Sequence, residues 1–379
     1  MDRIALKMLV HDRAKYLGLV LGVAVSILLI NQQVGVFIGM LLRAAAVVRD
    51  VPEATIWVMD PGLKNMDTVF PMRDTELGRI RGVNGVRWAV PFFKLSATLR
   101  TYNGQLESGV LIGVDDTTLI GLPPEFVLGS AEELRHPDAI AIGVDNFNRL
   151  FPGQPLGLGQ VLELNDRRAI LAAIVKDSPK FTNNVTVFTR YSQALAYTNN
   201  GRRQMSFVLA REQPGENSRD VARRVSEQTG LLALTSDEFS WKLIEFVFFH
   251  TGIPISIGSV IVVGVVTGIC VVGLLFNMFV MENIRHFAML KAIGATNRLL
   301  VRMVLLEAAL VGLVGYGLGL GLAALFFDVA SQNENFRGFR LPGSVALGSA
   351  ILALTMICAS AVLAMRRVLR VEPALVFRG

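Results

Sequence analysis

Residues able to do chemistry are few in this chain, and their spacing excludes most chemistries. The four histidines, His11, His136, His250 and His286, are scattered along it. A zinc hydrolase needs two histidines one helical turn apart, as in HExxH, so that both reach one ion; no such pair exists. The G-x-S-x-G elbow of a serine hydrolase is also missing. Cys270 and Cys358 lie in apolar runs and form no CxxC, so they are expected to be small packing residues. Nor is there a GxxxxGK[ST] loop to cradle phosphates. No catalytic residue, metal ligand or cofactor site is therefore assigned, and any ATP-driven work must draw on a separate chain.

What remains is a recognition surface. Between two apolar runs the chain reads Glu282-Asn-Ile-Arg-His-Phe-Ala-Met-Leu-Lys-Ala-Ile-Gly-Ala-Thr-Asn-Arg298. Ile284, Phe287, Leu290 and Ile293 recur every third residue, close to the helical period, and Met289 widens that face. Arg285 and Lys291 stand among them. Gly294 is placed to end this helix, with Thr296 or Asn297 capping the next. The pattern alone leaves two readings: a surface helix resting on lipid headgroups, or a knob seated in a cytoplasmic motor.

The elements that would hold this segment are apolar helices. Four runs, 17–42, 253–281, 303–327 and 341–365, contain one full charge between them, Glu307. Crossing a lipid core takes roughly 20 apolar helical residues, and each run exceeds that. The fold class is thus an α-helical membrane protein with one helix, then three, and a large α+β domain inserted after the first. Lys and Arg gather at Arg3, Lys7, Arg13 and Lys15, at Arg285, Lys291, Arg298 and Arg302, and at Arg366, Arg367, Arg370 and Arg378. These clusters share one side if the helices cross in order, which puts residues 1–16, 282–302 and 366–379 in the cytoplasm. The domain 43–252 and the loop 328–340 then lie outside. The net charge of +6 flanks membrane helices and forms no single patch, so nucleic acid is not an expected partner. The first run is long and lacks a small-residue cleavage pattern, so it reads as a signal anchor.

Within 43–252, alternating apolar runs separated by turn residues predict strands. Asn103-Gly104 predicts a type I′ hairpin turn. Strand–helix–strand patterns at both ends predict an α/β subdomain, 50–112 with 203–240, and a β-rich insertion, 113–202. Ser236 is expected to cap a helix to His250 that runs toward the second membrane helix, with Gly252 and Pro254 at the joint. Such a stalk would transmit movement.

Secondary candidates lie on the apolar helices. Gly264 and Gly268, and Gly315, Gly317, Gly319 and Gly321, form GxxxG patterns that suit close packing within the bundle or at a dimer seam. Asn31, Gln32 and Gln33 interrupt the first helix, where they would bond across the bundle or touch a substrate headgroup. Trp241, Phe246, Phe248 and Phe249 suit an interfacial aromatic belt or a lipid-accepting surface. Glu307 is expected to reach water or Arg302.

The run Lys291–Gly319, KAIGATNRLLVRMVLLEAALVGLVGYGLG, resembles the "R/K-A-I-G-A … E … G" signature of FtsX/MacB/LolC-type ABC permeases. The ending Arg370-Val-Glu-Pro-Ala-Leu-Val-Phe-Arg-Gly379 is similar to their "P-x-x-x-L-R" ending, and the one-plus-three order covers the whole chain. Gln32, Gln33 and Gly35, with Gly113, Val114 and Asp115, resemble the DevC-like branch. After the position of Arg285 the family often has Glu-Ile-Gly, where this chain has His286-Phe287-Ala288. The resemblance implies a homodimeric, mechanotransmission-type permease of a bacterial inner membrane, with the 282–298 segment docked on an ABC ATPase dimer that binds ATP and Mg. For the DevC-like branch it implies lipid or glycolipid export, with a periplasmic membrane-fusion protein and an outer-membrane channel. An FtsX-like regulator of an extracytoplasmic hydrolase and a membrane-anchored sensor without an ATPase are the alternatives.

Overall fold

The computed structural model describes residues 13–369 except Asp67, Tyr102, Asn183, 199–203, 333–338 and Arg340. The chain divides into two compact units, residues 40–251 and an apolar helical unit of residues 1–39 and 252–379.

In chain order the elements are α1 (Arg13–Ala44), α2 (Ala46–Arg49), β1 (Ile56–Met59), β2 (Met72–Arg73), α3 (Thr75–Arg81), β3 (Val86–Arg100), β4 (Leu106–Val114), β5 (Phe126–Leu128), β6 (Ala139–Gly143), α4 (Val144–Leu150), β7 (Val161–Leu164), β8 (Arg167–Val175), β9 (Val185–Arg190), α5 (Tyr191–Ala196), β10 (Gln204–Met205), β11 (Phe207–Glu212), α6 (Ser218–Thr229), β12 (Leu232–Thr235) and α7 (Ser236–His250). Then come α8 (Ile253–Glu282), α9 (Ile284–Ala292), α10 (Asn297–Ser331) and α11 (Gly343–Leu369).

One sheet runs through residues 40–251 in the order β12-β1-β11-β3-β4-β9-β6-β8-β5. β1 is buried along its whole length because the sheet is covered on both faces there. Ile56 and Val58 meet Ile80 of α3 and Val221 and Val225 of α6. Trp57 and Met59 point the other way, into a core with Phe92, Phe207, Phe239 and Leu243. This alternation follows from the period of two in a strand. Trp57 is fully buried, with ring centroids 5.5 Å from Phe92 and 5.7 Å from Phe207. A second core gathers Phe93, Leu99, Leu111, Ile140, Phe147 and Leu171.

Strands from both ends of 40–251 lie side by side, β1 pairing with both β11 and β12. β3 pairs with β11 over Val86–Phe92 and with β4 over Phe93–Arg100. The halves therefore meet inside β3, and the hairpin strand β4, expected in the first subdomain, pairs with β9 of the β-rich part. One continuous strand carries no turn residue to mark such a boundary. The hairpin itself is also of another type. Gly104 N–H donates to Thr101 C=O at 2.9 Å, Thr101 N–H donates to Gln105 C=O at 3.0 Å, and Gly104 has φ +82° while Asn103 does not turn left-handed. A type I′ turn on Asn103-Gly104 would need both residues left-handed, and only Gly104 is.

Four helices are long and apolar enough to cross a membrane: Tyr16–Ala44, Ile253–Glu282, Asn297–Ser331 and Gly343–Val362. Their buried faces form one cluster, including Val23 and Ile27 of α1, Phe276 of α8, Val304 and Val311 of α10, and Ile357 of α11. α8 has 30 residues, or about 45 Å at the helical rise, which exceeds a hydrocarbon core of about 30 Å. α10 begins at Asn297, six residues before the expected span, and continues to Ser331. α11 starts at Gly343, just after Pro342, whose carbonyl accepts from Val345 N–H at 3.0 Å. The family-like ending at 370–379 and the basic residues Arg3 and Lys7 lie outside the described residues.

Three expectations for the bundle are corrected. Glu307 reaches neither water nor Arg302: it is fully buried among Val304, Ala308 and Val311, and neither carboxylate oxygen has a hydrogen-bond partner among the described residues. Asn31, also fully buried, bonds within its own helix, its Nδ2 donating to Ile27 C=O at 2.8 Å. Cys270 and Cys358 stand at exposed positions instead of packing inside.

Candidate coupling site

The candidate site is the junction from α8 to α10. α8 ends at Glu282, Asn283 caps α9 without a side-chain hydrogen bond, and α9 then makes barely two and a half turns. Its end is sharply defined. Gly294 has φ +100°, its N–H donates to Lys291 C=O at 3.1 Å, and Ala295 N–H reaches back to Leu290 C=O at 3.0 Å. These two bonds are the Schellman closure, which needs a residue in the left-handed region and so favours glycine. Thr296 follows in extended conformation and precedes α10; its carbonyl accepts from Leu300 N–H at 3.2 Å, but its side chain makes no cap bond.

The structure sorts the recognition residues into two groups. Ala288 is fully buried, and Leu290 and Ala295 pack against the bundle cluster. They hold the short helix onto its own unit. Ile293 is 85% exposed and Met289 41%, with Arg285, His286 and Ala292 also exposed. Lys291 is half-buried and Gly294 exposed. The side chain of Phe287 lies outside the described residues. Ala288 was not anticipated; only its place one turn before Ala292, within the helical period, signals it. An exposed isoleucine and methionine beside two arginine- and histidine-type donors form an apolar knob with a basic rim, suited to a groove on another protein.

The membrane glycines divide in the same way. A Cβ added at Gly315 would lie 2.7 Å from Val23 Cβ, and one at Gly319 would lie 2.5 Å from Ala24 O. A Cβ at Gly268 would collide with Met356 and Ser26, and one at Gly264 would meet Ile30 Cγ1 at an ordinary 3.9 Å. Gly317 and Gly321 have open space around them. Only one of the two GxxxG patterns in α10 thus lies against α1. Gly312, against Ile357, and Gly35, against Phe327, are further close approaches that the spacing did not bring out.

The residues considered for substrate contact fall in different units. Gln32 and Gln33 are half-buried on α1. Phe246 is half-buried on α7 and stacks on His250 with centroids 5.3 Å apart, whereas Phe248 and Phe249 are exposed and pack edge to face. α7 is capped by Thr235, not by Ser236: Thr235 Oγ1 accepts from Glu238 N–H at 3.3 Å, and the Glu238 carboxylate accepts from Thr235 N–H at 3.1 Å. That backbone bond, with Arg219 alongside, holds the Glu238 carboxyl below its ordinary range. The helix stops at His250; Thr251 is extended, and α8 starts afresh at Ile253. Among the described residues no three His, Cys, Asp or Glu side chains converge as a metal site.

Comparison with known proteins bears on both units. Residues 16–228 match the MacB-like periplasmic core domain, and residues 239–373 match the FtsX-like permease C-terminal family. No curated protein sequence matches the chain. Among solved structures, the periplasmic region of MacB from Actinobacillus actinomycetemcomitans is similar at 12% identity and TM-score 0.40, covering 52% of this chain and 95% of that one. The extracellular domain of the noncanonic ABC-type transporter YknZ from Gram-positive bacteria is similar at 15% identity and TM-score 0.35, covering 48% and 98%. A domain of a permease protein from Porphyromonas gingivalis is similar at 11% identity and TM-score 0.33, covering 48% and 88%. With one apolar helix before the MacB-like domain, three after it, and family models across both units, the chain belongs to the FtsX/MacB-type family of ABC transporter permeases.

Proposed function

We propose that this chain is the permease subunit of an exporter in a bacterial inner membrane, working as a homodimer with two separate ATPase subunits that bind ATP and Mg. The single observation that carries the reading is the knob of Met289 and Ile293, exposed on a short helix that Ala288 and Leu290 fasten to the bundle. A push on such a knob is passed to the helices behind it, because the closing turn at Gly294 leaves no slack between α9 and α10. The outer domain, MacB-like and extracytoplasmic, is the element that moves the cargo. The stalk role falls to α7, which buries Phe239, Leu243 and Val247 in the domain core and precedes α8 by two residues. Few ionisable residues face the bundle, which favours mechanical coupling over a polar tunnel.

The cargo is read as a lipid, glycolipid or other hydrophobic molecule, handed to a periplasmic membrane-fusion protein and an outer-membrane channel. The support is the sequence likeness to the DevC-like branch at Gln32, Gln33 and Gly113–Asp115. Purification of the full chain from its native membrane, with mass spectrometry of bound proteins and lipids, tests the reading. An ABC ATPase and a bound lipid are expected. Isolation without any ATPase sinks it.

A further inference from the structure

α1 runs to Ala44, and after Ala45 alone the chain turns helical again as α2. Arg49 N–H donates to Ala45 C=O at 3.2 Å and Asp50 N–H to Ala46 C=O at 3.0 Å, so this turn of helix closes at Asp50. α2 buries Ala46, Val47 and Val48. The two valines share a core with Phe239 and Leu243 of α7 and with Val175 at the end of β8.

Asp50 reaches a segment far along the chain. Residues 176–182 leave β8 on the way to β9 and form neither strand nor helix. Ser178 N–H donates to the Asp50 carboxylate at 3.2 Å, and Lys180 forms an ion pair with it. The Asp50 and Lys180 side chains are 10% and 11% exposed. Asp177 stands 3.9 Å from the Lys180 ammonium. It also lies against Gly143 at the end of β6, where an added Cβ would collide with the Asp177 Oδ1.

Apolar packing between α2 and Val175 has no preferred direction. A charge-assisted bond to a backbone N–H, with an ion pair beside it, does. For stability a buried ion pair nearly breaks even, because desolvation offsets attraction. Its distinct effect is to fix which parts of the chain move together.

We propose that Asp50 is a second mechanical link between membrane and outer domain. It ties the 176–182 segment, and with it β6, β8 and β9, to the helical turn that follows α1. These strands then move with α1, while β1, whose Trp57 packs on Phe239 with centroids 5.5 Å apart, moves with α7. The link rests on the mechanical permease reading for its driving force.

Asp50→Ala tests it without stranding a charge, because Lys180 keeps Asp177. The full chain with its ATPase in nanodiscs is compared by hydrogen exchange in ADP and in ATP with vanadate. In the wild type, nucleotide-dependent changes are expected both in α7 and in residues 139–190. In Asp50→Ala the change in residues 139–190 should be lost, with the change in α7, stimulated hydrolysis and the melting temperature kept. A second variant combines Asp50→Cys and Ser178→Cys with Cys270→Ser and Cys358→Ser, so that a disulfide replaces the ionic tie. Its change in residues 139–190 should be present when oxidised and lost on reduction. An Asp50→Ala chain that keeps the change in residues 139–190 overturns the link and leaves the mechanical reading standing. Loss of the change in α7 as well would make Asp50 merely structural and also overturns the link, as does a formed disulfide that restores nothing. A wild-type outer domain with no nucleotide-dependent change anywhere, α7 included, would sink the mechanical reading together with the link.

Discussion

The amide of Ala295 donates to the carbonyl of Leu290 at 3.0 Å, across a glycine held at φ +100°. This bond makes the junction between α9 and α10 a fixed corner, and both of its residues rest on the bundle. On the proposed reading, movement of the short helix is expected to move α10 with it.

Gly294→Ala tests the corner. Nothing lies within 4 Å of the added Cβ, so the cost is backbone strain alone, about 1–2 kcal/mol for a non-glycine residue in the left-handed region. We expect a small loss of thermal stability with a larger loss of ATPase stimulation. Unchanged stimulation would mean that the corner does not transmit force.

The two GxxxG rows of α10 give a paired test of packing. Gly319→Ala puts a Cβ 2.5 Å from Ala24 O and 2.9 Å from Ile27 Cβ, and overpacking of this kind costs about 1–3 kcal/mol. Gly321→Ala meets nothing within 4 Å and should gain up to about 1 kcal/mol in helix propensity. Thermal unfolding in detergent should separate the two variants in that order. Equal destabilisation would mean that Gly321 is also in a contact, as at a dimer seam.

Burial pushes the Asp177 carboxyl up to about 6, with Lys180 opposing and Asp50 adding to the rise. An unfolded aspartate titrates near pH 4, so the folded protein binds more protons between about pH 4 and pH 6. Stability from this site therefore falls as pH rises through that window and levels above it. Asp177→Asn should be more stable than the parent near neutral pH and match it near pH 4, in thermal melts across the range. Lower stability of the variant near neutral pH would show that the pairing with Lys180 outweighs burial.

The bundle, the inserted domain and the closing glycine of α9 were legible because each rests on a local signal: apolar length, turn residues, one permissive residue. What was not legible depends on partners distant in sequence. A three-residue repeat marks Ile284, Phe287, Leu290 and Ile293 as one face, yet Leu290 packs on the bundle and Ile293 does not. Periodicity cannot tell a face kept for the bundle from one kept for a partner. The Asp50–Lys180 pair joins residues 130 positions apart, and the cavity lined by Arg43, Met66, Lys94, Ile112, Lys180 and Leu243 is assembled from six stretches of chain. Glu307 read as a residue near water because its distance along the helix was counted, whereas the side that it faces decides its burial.

The central claim is that a separate ATPase acts on this chain through the exposed residues of α9 and its closing turn. Nanodiscs containing the chain and its ATPase subunit allow stimulated ATP hydrolysis to be measured beside co-purification. Met289→Asp and Ile293→Asp change exposed side chains, so folding should be preserved; a carboxylate forced unpaired into an apolar docking groove costs about 3–5 kcal/mol. The account predicts that the wild-type chain accelerates hydrolysis and retains the ATPase, and that the double variant does neither while melting at the same temperature. A folded double variant that binds and stimulates the ATPase as the wild type does would contradict it.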